Sequence, residues 1–292
     1  MIMKTGTTFG ACGKGWRTPT QVVNQPRIRR EIVSAAEMAQ ALRRGAIELA
    51  CQSIVRLEQS GSILYRESQA RLRLGDGLLL SPNHFLPYLH QLGVLARLDA
   101  LVVRRAVALL GSAPSLCLGV NLSSAGVSDP TWWEPVLDGL AHRPEVARRL
   151  VFEIPEAAVL VPGTGREIRK ALRAVGCHVA IDGFGVRYGV QTAMEIDAPD
   201  IIKLDGSLLS GLTARRARRV ADLVALARDM VPCVVVEGVE DEVSLQVAQE
   251  AGAQWGQGSG LGCECLLSRP GWSSGLEREV DQLGRFADLA TT

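Results

Sequence analysis

The chain has 292 residues, enough for one large barrel or for two ordinary domains. Hydrophobic residues make up 47% and aromatics only 4%, so a sizeable core is available and must be built from Leu, Val, Ala and Ile. The 32 basic and 31 acidic residues leave a net charge of +1, which excludes a general nucleic-acid binder with a clear basic excess but not a small phosphate ligand held by local charge.

Residues 1–34 are rich in Gly, Thr, Arg and Lys and lack helical periodicity, so they read as a flexible leader. Gly13-Lys14 does not make a phosphate loop, because Thr8 stands where the first glycine belongs and Gly15 where magnesium needs Ser or Thr. No apolar stretch approaches the roughly 20 residues of a membrane span, and no apolar signal segment opens the chain. The expected location is therefore cytoplasmic, away from the membrane. The seven cysteines contain no CxxC pair. Those in apolar runs, such as Cys117 and Cys233, read as small core residues in a reducing compartment. Cys263 and Cys265 lack the second pair that a soft metal would require.

From residue 35 a rhythm sets in. A short amphipathic helix closes at Gly45, followed by strands over 47–57 and 63–74 joined through Gln59-Ser60-Gly61. Helices follow over 81–94 and 95–110, a strand over 116–124, and a helix started by Asp129 and Pro130. Strands at 149–156, 178–185, 200–206 and 231–240 then alternate with helices at 165–176, 190–196, 213–230 and 242–252, and 253–258 reads as a last strand. Alternation of this kind implies a parallel sheet. Near-continuous apolar strands imply burial on both faces. The count of about eight strands points to an α/β fold, a TIM-like (β/α)8 barrel. The hairpin-length link makes one early strand antiparallel. The barrel is expected over 35–275, with a C-terminal helix or tail over 276–292.

Each apolar run ends in, or is interrupted by, a polar residue that a buried strand should avoid. These are Glu67, Asn121, Glu153, Asp182, Lys203 with Asp205, Glu237 and Gln257. In a barrel such ends converge on one mouth, where barrel enzymes carry their active sites. Carboxylates gathered there repel one another, and a cation relieves that repulsion. Glu67, Asn121, Glu153, Asp182 and Glu237 form an oxygen-only set, which suits magnesium or manganese. The bland alternative is a strand-end acid paired with a neighbouring arginine. The glycines Gly183, Gly185 and Gly189 miss the dinucleotide-loop spacing by one residue. The run Arg215, Arg216, Arg218, Arg219 reads as a solvated helix face.

Residues 36–270 resemble the EAL domain of bacterial cyclic di-GMP phosphodiesterases. The resemblance rests on Gln52 in the opening strand, Glu67-Ser68-Gln69 at the name-giving Glu-Ala-Leu and Arg71 beyond it. It continues through SPNHFLP, VNLSS, FEIPE, IDGFGVRYG, IKLDGSLL, VEGVED, WGQG and LLSRP. The resemblance implies hydrolysis of cyclic di-GMP to the linear dinucleotide with two divalent metals, Mg2+ or Mn2+. Carried over, Glu67, Asn121, Glu153 and Asp182 would hold the first metal, with Asp182 bridging to a second. Lys203 would position the attacking water, Glu237 would hold water or the second metal, and Gln257 would support the site. Gln52, Arg71 and Asp205 would contact the substrate, Arg71 at a phosphate, and Glu240 would anchor the loop after Asp182. By the same analogy the chain would form a homodimer through the helices beside that loop.

Four departures bear on activity. Gly183 replaces the second Asp of the family's Asp-Asp pair, Ser68-Gln69 replaces Ala-Leu, and Val186-Arg187 replaces Thr-Gly. About six extra residues, SGLGCE, separate Gln257-Gly258 from LLSRP. The expectation is weak or conditional hydrolysis. The alternative is a catalytically inactive cyclic di-GMP receptor acting through a regulatory protein partner.

Overall fold

Apolar residues at every second position let a strand fill the inside of a barrel while its other face packs on helices. A computed structural model, which describes residues 35–58, 62–158 and 160–267, shows this arrangement. The expected leader, the 59–61 turn and the 276–292 tail lie outside the described residues. The strands are β1 (Ile47–Arg56), β2 (Ile63–Arg73), β3 (Leu79–Leu80), β4 (Leu118–Asn121), β5 (Leu150–Pro155), β6 (His178–Phe184), β7 (Ile201–Leu204), β8 (Cys233–Val236), β9 (Trp255–Gly256) and β10 (Cys265–Leu266).

Pairings from β2 through β4, β5, β6, β7 and β8 to β9 are parallel, and β1 closes the ring by pairing antiparallel with both β9 and β2. Eight strands thus form the closed barrel, with β1 as the expected antiparallel member, while β3 and β10 extend β2 and β1.

Helices α1 (Ala35–Arg43), α2 (Pro82–Gln91), α3 (Leu95–Ser112), α4 (Ser124–Ser128), α5 (Pro130–Ala141) and α6 (Pro144–Ala147) belong to the first half of the chain. Helices α7 (Thr164–Val175), α8 (Gly189–Ile196), α9 (Ala214–Met230) and α10 (Glu242–Glu250) follow the later strands. Their ends have local causes. Thr213 caps α9, Asp241 and Ser244 form a capping box on α10, and Gly176 ends α7 at φ 93°. Asp129 ends α4 and, in extended backbone, directly precedes α5, which begins at Pro130 as the Asp129–Pro130 pair predicts. Among the described residues no helix is long and apolar enough to cross a membrane.

The inside of the barrel has an apolar floor of Ile54, Leu64, Tyr65, Val151, Ala180, Ile201, Val235 and Trp255. The polar residues of the mouth stand two positions further along, within the same strand or one residue past its end: Glu67 beyond Tyr65, Glu153 beyond Val151, Asp182 beyond Ala180, Lys203 beyond Ile201, Glu237 beyond Val235 and Gln257 beyond Trp255. Period two therefore delivers all six to one layer. Phe152, Ile181, Ile202 and Val234 point the other way, into the larger core beneath the helices.

Candidate functional site

Lys203 sits at the centre of the mouth, fully buried, and its ammonium gathers the acids around it. Its Nζ lies 2.9 Å from Glu67 Oε2, 2.8 Å from Glu153 Oε2, 2.8 Å from Glu237 Oε1 and 3.3 Å from Asp182 Oδ1. Asn121 Nδ2 donates to Glu67 Oε1 at 2.7 Å, and Gln257 Nε2 donates to Glu67 Oε2 at 2.6 Å. Gln52 stands opposite Glu67 across β1 and β2, and its Oε1 accepts from Gln257 at 3.4 Å. The structure thus brings Gln52, Glu67, Asn121, Glu153, Asp182, Lys203, Glu237 and Gln257 together. Gly119 makes room for them, since a methyl there would collide with Glu153 Oε1 and the Tyr65 ring.

The electrostatics follow from one cation facing four acids. Burial would lower the Lys203 pKa, but Asp182, Glu153, Glu237 and Glu67 outweigh it and hold it well above the ordinary lysine range. Burial would likewise raise Glu67, yet Lys203 and donors from Gln257 and Asn121 keep it below the usual value. Glu153 goes the other way: burial, with repulsion from Glu67 and Asp182, lifts it well above 4.5 despite Lys203. Burial, with repulsion from Asp182 and Glu67, pushes Glu237 up to about 8. The cluster therefore holds protons that an incoming cation would displace.

A hard divalent ion suits the donors present. The side-chain acceptors are all oxygens; Gln257 Oε1 is buried without a hydrogen-bond partner, and Asp182 Oδ1 has the Lys203 ammonium at 3.3 Å but no hydrogen bond. Among the described residues no three acids stand in a metal-ligating arrangement, as the acids close on Lys203 instead. A cation would have to compete with that ammonium for the same oxygens.

The mouth opens into a cleft of about 920 Å3 lined by Glu67, Gln69, Arg71, Pro82, Phe85, Asn121, Ser123 and Glu264, a size suited to a small organic ligand. A smaller cavity of about 480 Å3, lined by Arg166, Arg169, Lys170 and Arg173, lies on α7 away from these residues. Arg71 is buried beside the cleft. Its Nη1 donates to Ala70 O at 2.9 Å, and its Nη2 meets the Glu264 carboxylate. Asp205 caps the turn after β7 by accepting from Ser207 N at 2.8 Å, and its other oxygen lies 3.7 Å from where a side-chain carbon on residue 183 would stand.

The loop after Asp182 departs from the expected anchoring. Its amides at Gly185, Val186 and Arg187 all donate to the Glu156 carboxylate, which is buried. Glu156 N also donates to Asp182 O at 2.7 Å, and Glu156 O accepts from Thr192 Oγ1 at 2.7 Å. Glu240, expected in this role, has an exposed side chain and is tied through its backbone N–H to Ser244 Oγ at 3.0 Å. The preceding residue, Val239, takes the buried direction and turns Glu240 to solvent. Glu156 was in sight as the second acid of FEIPE. The acceptor role needed the loop's curl, made by Gly183 at φ 75° and Gly185 at φ 101°.

A second missed residue, Asp99 of α3, supports the loop after Asn121. Its Oδ2 accepts from Ser123 N at 3.0 Å and Ser123 Oγ at 2.6 Å. Burial outweighs these bonds and raises its pKa from 3.8 to about 6. A raised carboxyl favours the protonated fold, so its contribution to stability is full below pH 3.8 and is lost as pH rises through about 6. Asp99→Asn keeps an acceptor for Ser123 and removes the titration. The stability difference between variant and wild type should therefore shift by up to about 3 kcal/mol in the variant's favour across that window. Urea midpoints of both proteins at pH 4 to 8 measure it, and a flat difference would assign Asp99 an ordinary pKa.

The EAL domain family model matches residues 35–262, and the chain belongs to this family. It is 26% identical over 245 residues to the cyclic di-GMP phosphodiesterase PdeF of Escherichia coli K12, covering 82% of this chain and 32% of that protein. It is 28% identical over 237 residues to the cyclic di-GMP phosphodiesterase RocR of Pseudomonas aeruginosa, covering 78% of this chain and 60% of RocR. This chain thus spans about a third of PdeF and 60% of RocR. The crystal structure of the Pseudomonas aeruginosa FimX EAL domain bound to c-di-GMP superposes with a TM-score of 0.69 at 26% identity, covering 79% of this chain and 95% of that one. The EAL domain protein of Listeria monocytogenes EGD-e shares the fold with a TM-score of 0.72 at 20% identity, covering 80% of this chain and 94% of that one.

Proposed function

We propose that this EAL barrel binds cyclic di-GMP at its mouth and hydrolyses it, weakly or conditionally, to the linear dinucleotide. The observation that carries this reading is the acid cluster around Lys203, which meets a ligand-sized cleft at Glu67 and Asn121. Magnesium or manganese held by Glu67, Asn121, Glu153, Asp182 and Glu237 would supply an activated water and neutralise charge gathering on phosphorus. Lys203 supplies a buried positive charge at small reorganisation cost. Gln257 and Gln52 hold the orientation of Glu67, and the Arg71 fork suits a phosphate. Asp205 borders the Gly183 side of the mouth.

The receptor reading has one observation in its favour. Gly183 offers no side-chain oxygen beside Asp182, so a second cation has fewer ligands there. Such a receptor would act through a protein partner. A homodimer through α8 and the loop before it is supported by the exposed Val186, Tyr188, Val190 and Met194.

Calorimetry with cyclic di-GMP, with and without magnesium, tests binding. Absence of binding in both conditions removes both readings. Initial rates against manganese concentration separate enzyme from receptor. Gly183→Asp is expected to raise the rate about tenfold at low manganese, since that gain needs only about 1.4 kcal/mol. Its Cβ meets Asp205 Oδ2 at 3.7 Å, an ordinary contact, but φ 75° is unfavourable for a side chain. Aspartate tolerates that region better than most residues, so the stability cost should be about 1 kcal/mol. Asp182→Asn should abolish turnover. Brisk wild-type turnover unchanged by Gly183→Asp would mean that the second cation does not depend on that position.

A further inference from the structure

The extra residues after Gln257-Gly258 are packed, and they end on the arginine that the proposed ligand needs. Gly260 N donates to Val239 O at 3.0 Å, Gly262 N to Gly258 O at 3.1 Å, and Gln52 Nε2 to Gly262 O at 3.1 Å. Methyl groups on Gly258 or Gly260 would collide with the backbone of 239–240, so the segment passes close against that turn. It then enters β10, where Cys265 stands directly opposite Cys51 of β1 and Leu267 N donates to Leu49 O at 2.8 Å. Glu264, one residue before Cys265, puts its carboxylate on Arg71. Arg71 is 3% exposed, whereas the Glu264 side chain is 24% exposed at the edge of the cleft. An acid therefore already sits where a phosphate oxygen would pair.

The two sulfurs are 3.5 Å apart. Residues directly opposite in an antiparallel pair have Cα atoms about 4.5–5.5 Å apart, inside the range a disulfide spans. A small rotation of either side chain closes the remaining gap.

We propose that Glu264 is a tethered competitor for Arg71, and that oxidation of Cys51 and Cys265 to a disulfide fixes it in place. The proposal rests on the reading that the mouth takes a phosphodiester anion. A two-electron oxidant such as hydrogen peroxide balances the step. Cys51 is fully buried, and its hydrogen bond with Cys265 and its burial hold its thiol well above the ordinary range. Cys265 is partly exposed, so its sulfur attacks the peroxide first. The O–O bond breaks, leaving a sulfenic acid and one water. Cys51 sulfur then attacks Cys265 sulfur, the S–O bond breaks, and a second water departs. Two thiols are oxidised and one peroxide is reduced to two waters. With β10 pinned to β1, Glu264 stays at Arg71 and the anion must displace a held carboxylate. In the reduced protein, β10 is a two-residue strand that can release it.

The test is calorimetry with cyclic di-GMP and magnesium, on reduced and peroxide-treated protein, with non-reducing peptide mass spectrometry on each sample. Reduced Glu264→Gln should bind about tenfold tighter than reduced wild type, the worth of one charge-assisted pair. Oxidised wild type should show the Cys51–Cys265 linked peptide and bind about tenfold more weakly than reduced wild type. Cys265→Ser should be indifferent to peroxide, and Cys263→Ser should respond as wild type does. Equal affinity of Glu264→Gln and wild type overturns the proposal. So does absence of the linked peptide, or a linked peptide without loss of affinity. A ligand-independent measurement keeps the two readings apart. Phenylglyoxal should modify Arg71 faster in Glu264→Gln than in wild type, and more slowly after oxidation. Unchanged Arg71 reactivity overturns the competitor even if no variant binds cyclic di-GMP, whereas failed binding with the expected reactivity overturns only the proposed ligand. Thermal melts identify any variant that has not folded.

Discussion

Lys203→Met is expected to cost about 3–5 kcal/mol at neutral pH, the usual penalty for removing one partner from a buried ion cluster. That is a large share of the roughly 5–15 kcal/mol that holds a domain together. Methionine fills much of the same volume, so the loss would be electrostatic rather than a cavity. Without the ammonium, Glu67, Glu153, Asp182 and Glu237 face one another with no counter-charge among them. Protonation is then the remaining way to relieve the repulsion. Raised carboxyls favour the fold at low pH and lose that contribution as pH rises. The variant should therefore be closest to wild type near pH 5 and furthest from it above pH 8, where Glu237, already pushed up to about 8, sheds its proton. Manganese should raise the variant's melting temperature more than the wild type's, because the cation no longer competes with Lys203 for the same oxygens. Melting curves at pH 5, 7 and 8.5, with and without manganese, test both points. A variant as stable as wild type at pH 8.5 would show that the cluster does not depend on its central charge.

The mouth was legible in the sequence because it violates the pattern around it. Strands buried on both faces should be apolar throughout, and Glu67, Glu153, Lys203 and Glu237 interrupt them two residues beyond an inward apolar side chain. Parallel alternation with helices then fixes that all these interruptions emerge at one end. The short elements were not legible. The two-residue strands β3 and β10 and the four-residue helix α6 are below the length at which periodicity exists. Glu264 was hidden for the same reason. It lies in an irregular insertion and meets a partner 193 residues away, a contact that no local pattern encodes. Asp99 is a single acid inside the 95–110 helix, and only the packing of α3 under Ser123 gives it a role. The anchoring role that the resemblance assigns to Glu240 does not follow from local pattern, since the turn that buries Val239 leaves the Glu240 side chain exposed.

Glu156→Ala should open the loop after Asp182 and loosen the mouth with it. Three backbone amides, those of Gly185, Val186 and Arg187, converge on this one buried carboxylate. Charge-assisted bonds of this kind are worth about 1.5–3 kcal/mol each when a buried donor has no alternative. Part of that is recovered if the loop swings into water, so the expected loss is about 2–4 kcal/mol in stability. The amides of residues 185–187 should lose hydrogen-exchange protection well before the barrel strands do. The effect should reach Asp182, because Glu156 N holds the Asp182 carbonyl at 2.7 Å and Asp182 Oδ1 lies 3.3 Å from Lys203 Nζ. Higher manganese should then be needed for half-maximal stabilisation. Glu156→Gln keeps one oxygen but turns an NH2 group toward the donors, so it should lie between alanine and wild type. Glu240→Ala is the matched control. Its side chain is exposed, so its effect should stay within about 0.5 kcal/mol. If instead Glu240→Ala exposed the 185–187 amides while Glu156→Ala left them protected, the loop would be anchored from the β8 side of the mouth, and Glu156 would not be what holds it.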